Sequence, residues 1–194
     1  MKLKITFITL LCVLLLVLTG CQTDDTDTLE NKSSGILKNT YRTAQANFFT
    51  VDHPYSWSRV FISLEQEDLS VIYQGIDKNK PYMIISAPKP TTPNTKILFS
   101  VNDLSISGLS FEEYLTYVEE YAKENFNDMN KNITDSIATY EYTYNFQTQK
   151  VYEIKKFIYK EGILLTVVAT TNFKNKDEFQ PTFVKIINSI NPRD

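Results

Sequence analysis

One histidine, two cysteines and five glycines in 194 residues leave little material for most kinds of catalytic site. A single histidine, His53, cannot build a zinc cluster. A Ser/His/Asp set would have to use His53 beside Asp52, yet no Gly-x-Ser-x-Gly elbow presents a serine. No glycine-rich loop is there to cradle a phosphate. Whether two carboxylates meet as a glycosidase pair is decided in three dimensions, not by spacing. Also missing is the run of roughly 20 apolar residues that a membrane-spanning helix needs; the longest, residues 5–18, has fourteen. The expectation is a chain that is not an enzyme and carries no cofactor or metal. Scarce glycine alongside 13% aromatic residues points to a well-packed, sheet-rich domain and away from disorder.

What is present begins with an address. Lys2 and Lys4 precede an apolar run interrupted only by Thr6 and Thr9, the pattern of a secretory signal. The run ends in Leu18, Thr19, Gly20 and Cys21. This resembles the lipobox of bacterial lipoproteins: Leu, a small residue, Gly or Ala, then Cys. The resemblance implies cleavage between Gly20 and Cys21 and a diacylglyceryl thioether on Cys21, chemistry that suits a thiolate nucleophile. One acyl chain holds a protein only marginally on a membrane, whereas two anchor it stably. The expected location is therefore the cell membrane, lipid-anchored on the extracytoplasmic face. Cys12 leaves with the signal and Cys21 has nothing downstream to pair with, so lipidation accounts for a lone thiol in an exported chain. With Cys21 acylated, no Cys/His pair is left for nucleophilic catalysis.

Setting residues 1–20 aside removes two lysines and no acid, which leaves 18 basic and 23 acidic side chains and a net charge of −5. A mildly acidic surface argues against a nucleic-acid partner and against electrostatic docking on anionic lipid. Residues 21–40 are expected to be a flexible tether. Its stretch QTDDTDTLENKSSG holds one large apolar residue, Leu29, too little to order itself. The acids Asp24, Asp25, Asp27 and Glu30 lack the glycine-bearing spacing of a calcium loop. Residues 41–194 are long enough for one domain with a sizeable core.

Within that domain, residues 36–45 read either as a short helix or as an extended lead-in. Phe48, Phe49 and Val51 then make a strand, and His53, Pro54 and Trp57 a turn. Period-two alternation predicts strands over 59–65, with Val60, Ile62 and Leu64 on one side, and over 69–74, 82–87 and 97–101. Between them, PKPTTPNTK is a stiff loop; Lys89, Pro90, Pro93 and Lys96 make it a candidate partner-binding loop, although a plain connection is the favoured reading. Ser110 and Glu113 form a capping box that opens a helix with an acidic outer face. A polar loop is expected around 127–132, then a long strand pair. In the first of the pair, Ala138, Tyr140, Tyr142, Tyr144 and Phe146 share a face that could stack on sugar rings but reads better as core. Residues 163–171 suit a strand buried on both sides. A last helix beginning near Asp177, with Pro181 near its first turn, closes the domain.

The order and spacing of these features resemble the PsbP-like superfamily, which includes the bacterial lipoprotein DcrB. The residues concerned are Phe49, Val51, Pro54 and Trp57, the capped helix from Ser110, and Phe183, Ile186, Ile187, Ser189 and Ile190, where Ile190 stands in place of the commoner Phe. The resemblance implies an α+β fold, a central antiparallel sheet flanked by helices in an α-β-α sandwich. It also implies a non-catalytic role in binding or stabilising a membrane or envelope protein, in some members with metal. The alternative is a small-ligand or cell-wall-glycan binding lipoprotein.

Overall fold

A computed structural model describes residues 40–63, 81–88 and 94–193. The signal, the lipobox with Cys21, nearly all of the tether, the strand expected over 69–74, and Lys89, Pro90 and Pro93 lie outside the described residues.

The chain opens with β1 (Tyr41–Gln45), so the ambiguous lead-in is extended where it is described. β2 (Phe49–Pro54) pairs antiparallel with it, and β10 (Asn191–Pro192) joins the other edge of β2. Seven more strands form a second sheet: β3 (Ser58–Phe61), β4 (Met83–Ser86), β5 (Lys96–Asp103), β6 (Asn127–Ile133), β7 (Ile137–Phe146), β8 (Gln149–Lys160) and β9 (Ile163–Asn172). Their order is β3-β4-β5-β9-β8-β7-β6, every neighbour antiparallel. Among the described residues there are three α-helices, α1 (Leu104–Ser107), α2 (Phe111–Asn125) and α3 (Lys176–Asn188), and a 3-10 turn, Phe173–Asn175, leads into α3.

Alternation along each strand divides the large sheet into two buried faces. On one, Phe111, Tyr114, Leu115 and Val118 of α2 pack with Ala138, Tyr140, Tyr142, Phe157 and Leu164. On the other, Phe183, Ile186 and Ile187 of α3, with Phe49 and Val51 of the small sheet, cover Ile85, Phe99, Ile154 and Val167. The layers are helix, sheet, and helix with small sheet, an α+β sandwich as expected. β9 is buried on both sides because it lies at the middle of the order, with Leu164 and Thr166 on one face and Leu165, Val167 and Ala169 on the other.

α2 starts as its capping box requires: the Glu113 amide donates to Ser110 Oγ at 3.2 Å, and the Ser110 amide donates to Glu113 Oε2 at 2.8 Å. Several expectations need correction. The polar stretch after α2 is the strand β6, held by pairing with β7 and interrupted by a register shift near Asp128, whose φ is 52°. Val60 is 56% exposed, because β3 is the outermost strand and Val60 points to the face opposite the small sheet. His53 is a buried member of β2; the turn proper is Tyr55 to Trp57, closed by the Trp57 amide donating to the Pro54 carbonyl at 2.9 Å. Pro181 sits in the second turn of α3, since the helix begins at Lys176.

Candidate functional site

Asp52 and His53 are successive strand residues, so their side chains leave opposite faces of the small sheet and cannot share one metal ion. Asp52 Oδ1 accepts from Thr43 Oγ1 at 2.6 Å. His53 Nδ1 lies 3.0 Å from the Pro54 carbonyl, which marks it as the protonated nitrogen, while Nε2 is buried without a hydrogen-bond partner among the described residues. Burial pushes the imidazole pKa down, and Arg42 and Arg59 add to the effect. No described serine meets Nε2, so the described residues form no Ser/His/Asp set, and no three His, Cys, Asp or Glu side chains among them are placed to hold a metal.

Lys96 opens β5 opposite Ser86 and Thr170 and is exposed. Beside it Thr95 is buried, its hydroxyl 2.7 Å from that of Thr171, so the end of the proline-bearing loop is tied to the sheet.

The aromatic row on β7 is core over most of its length. Tyr140 and Tyr142 are buried, Tyr144 is half-buried, and only Phe146 at the end is largely exposed. Phe126 stacks on Tyr142 with ring centroids 4.0 Å apart. Register then places Glu153 of β8 directly opposite Tyr142, and Lys155 opposite Tyr140. The Glu153 carboxylate accepts from the hydroxyls of Tyr142 and Tyr144 and pairs with Lys155 Nζ at 3.3 Å. A second cluster lies on the opposite face, where Glu141 Oε1 accepts from Tyr152 at 2.9 Å and from Gln180 at 3.0 Å, with Lys176 at 3.7 Å. Burial pushes the Tyr152 hydroxyl pKa up, and Glu141 raises it further. Burial also raises Tyr114, to about 12. These groups hold one another as fixed charges and dipoles. The Glu153 carboxylate is 4% exposed and already accepts from two tyrosines and a lysine, which take three of its roughly four acceptor positions. Sequence reasoning missed both clusters, since only cross-strand register brings Glu153 to Tyr142.

Concave features among the described residues include two near these elements. One is a cavity of about 280 Å3 where the two sheets meet near the β8–β9 turn, and the other a groove of about 340 Å3 between α2 and β6. The groove carries Glu112, Glu119 and Glu120 with Lys123, and Ile133 is exposed beside it. Glu119 is held by Lys131 at 2.8 Å and by the Tyr140 hydroxyl at 3.3 Å, and these bonds, with Lys131 the largest influence, keep its carboxyl below the usual range. Among the described residues no helix is long and apolar enough to cross a membrane.

No protein-family model matches the chain, and no curated protein matches it by sequence. Solved structures do. The solution structure of cyanobacterial PsbP (CyanoP) from Synechocystis superposes with a TM-score of 0.50 at 9% identity, covering 86% of this chain and 99% of that one. LpqN, described as involved in cell envelope biogenesis of Mycobacterium tuberculosis, superposes with a TM-score of 0.50 at 12% identity, covering 80% of this chain and 91% of that one. At such identities the fold alone is shared, and that fold is PsbP-like: a large antiparallel sheet between helices, as the order of strands and caps led one to expect.

Proposed function

We propose that this chain is a lipid-anchored, extracytoplasmic, non-catalytic interaction module that docks on a membrane or envelope protein. The observation that carries the reading is where the charge lies. The buried cluster around Glu153 and the partly exposed one around Glu141 are closed on themselves, while the outer face of α2 displays Glu112, Glu120 and Glu124 beside exposed Tyr117 and Tyr121. Aromatic residues ringed by like charges suit a partner surface of opposite sign. Lys89, Pro90, Pro93 and Lys96 supply a second contact of the opposite charge. The lipobox at Leu18 to Cys21 and the envelope role stated for LpqN support the location. The sugar-stacking alternative loses most of its surface, because Tyr140 and Tyr142 are core.

The test is cross-linked affinity capture of the tagged full-length protein from membranes. A stoichiometric partner is expected, lost together with membrane association in Cys21→Ala. In Glu120→Lys with Tyr117→Ala the partner should go while membrane association stays. Cys21→Ala protein that still pellets with membranes refutes the anchor, and capture of no partner refutes the module.

A further inference from the structure

Three cations at one end of the small sheet each lie over an aromatic ring. Lys185 Nζ is 3.7 Å from the centre of the Tyr41 ring, the Arg42 guanidinium 4.9 Å from that of Tyr55, and the Arg59 guanidinium 5.2 Å from that of Phe61. Backbone and side-chain bonds hold the rings together. The Tyr55 amide donates to the Thr40 carbonyl at 2.8 Å, and Arg42 Nη2 donates to the Trp57 carbonyl at 3.4 Å, so the start of β1 is tied to the turn before β3. Arg59 follows Trp57 by two residues, and the charges of both arginines reach His53, which stands opposite Arg42 in the register. None of the three cations is in an ion pair among the described residues. Asp52 is the one carboxylate that residues 41–61 carry, and it accepts from Thr43. The acids of α3, Asp177 and Glu178, lie in its first turn, roughly 10–12 Å along the axis from Lys185.

The same end exposes apolar surface at Tyr55, Val60 and Phe61. Two of these belong to β3, the outermost strand of the large sheet, all four of whose residues are exposed. An aromatic ring with a cation laid across it suits a membrane–water interface, where the apolar body enters the acyl boundary and the charge meets phosphate. Chain connectivity brings this end to the bilayer. Residues 22–40 link Cys21 to β1, so the patch lies where the tether joins the domain. An anchor makes the contact intramolecular, and a weak patch then suffices. We propose that this end of the domain docks on an anionic lipid surface through Arg42, Arg59 and Lys185, with Tyr55, Val60 and Phe61 entering the head-group layer. The net negative charge belongs to the whole chain, whereas screening limits attraction to charges within roughly 8–10 Å of the lipid. α2 packs on the opposite face of the large sheet, which leaves its acidic side turned away from the lipid and toward a partner. The proposal rests on the anchor at Cys21.

The experiment uses protein purified from membranes with its anchor and reconstituted on vesicles of phosphatidylcholine and phosphatidylglycerol. Flotation reports the anchor. Trp57 reports the patch, because it sits in the turn beside Tyr55 and the chain has no other tryptophan. A nitroxide on the choline head group should quench Trp57 on vesicles containing phosphatidylglycerol and quench it several-fold less on phosphatidylcholine alone. Arg59→Gln should weaken the docking equilibrium about fivefold, one arginine's share of the attraction to an anionic surface, and Val60→Asp should weaken it too. Raising the salt concentration should release wild-type Trp57 from quenching with no substitution at all. Protein that fails to float overturns the anchor, and this proposal with it. Protein that floats while Trp57 stays unquenched overturns lipid docking alone and gives the patch to a protein strand. Quenching that is equal with and without phosphatidylglycerol, or unmoved by both salt and Arg59→Gln, overturns recognition of anionic lipid.

Discussion

Glu153 and Lys155 are 4% and 1% exposed, with charged ends 3.3 Å apart, so removing either leaves the other charge buried. In Lys155→Met the carboxylate keeps the hydroxyls of Tyr142 and Tyr144 as donors. The loss should then sit near the lower end of the about 3–5 kcal/mol that breaking a buried pair costs. In Glu153→Leu the ammonium keeps, among the described residues, the face of the Tyr142 ring, 5.8 Å away, and the loss should approach the upper end of the same range. The double variant buries no charge. It deprives two tyrosine hydroxyls of a shared acceptor, one of them half-buried, for a cost of about 1–3 kcal/mol. The double-mutant cycle should therefore show a coupling of about 3 kcal/mol or more. Urea unfolding at pH 7 reads it directly through Trp57, the only tryptophan, which is buried in the fold and exposed on unfolding. A double variant that loses the sum of the two single losses would show that these groups are not a charged pair in the folded protein.

Two further outcomes test other parts of the account. The imidazole of His53 titrates below its ordinary 6.5 in the fold, so as pH falls through about 6.5 the unfolded chain takes up the proton first. Stability is full above that pH and declines below it until the folded value is reached; urea midpoints from pH 7.5 to 5.5 should show this slope, and His53→Asn should flatten it. Ser110→Ala removes the helix cap at a cost of about 1 kcal/mol at pH 7. Because the Ser110 amide and hydroxyl hold the Glu113 carboxyl below 4.5, part of the cap is present above that pH and is lost as pH falls through the folded value. The gap between wild type and Ser110→Ala should shrink at pH 3, and an unchanged gap would count against the capping box.

What could be read in advance followed local rules. The helix from Ser110 declared itself through a cap and a 3.6-residue stripe, and β7 to β9 through alternation of β-branched and aromatic residues. β6 could not be read that way. Asn127, Asn130 and Asn132 have no strand preference, and the segment is extended because β7 offers an unpaired edge. His53 looked like turn material beside a proline, yet pairing with β1 carries the strand on to Pro54. The cavity near the β8–β9 turn was beyond reach for a different reason. Phe48 and Arg193 lie at opposite ends of the domain, and only β10 adding to β2 brings them together. The site residue Cys21 rests on motif alone, whereas Lys96 is placed by the fold at the start of β5.

The strand order has a kinetic side. Asp103 at the end of β5 pairs with Ile163, the first residue of β9, roughly sixty positions later. At synthesis rates of about 5–20 residues per second, that is a wait of roughly 3–12 s. Throughout it Ile97, Phe99 and Val101 sit on a strand edge with no neighbour, the kind of surface that pairs with other chains. β2 waits longer still, because its second partner, β10, is made about 140 residues after it, Asn191 pairing with Thr50. The nascent chain therefore has no means of completing the large sheet before β9 is made or the small one before β10, and a holding chaperone has most to protect in that interval.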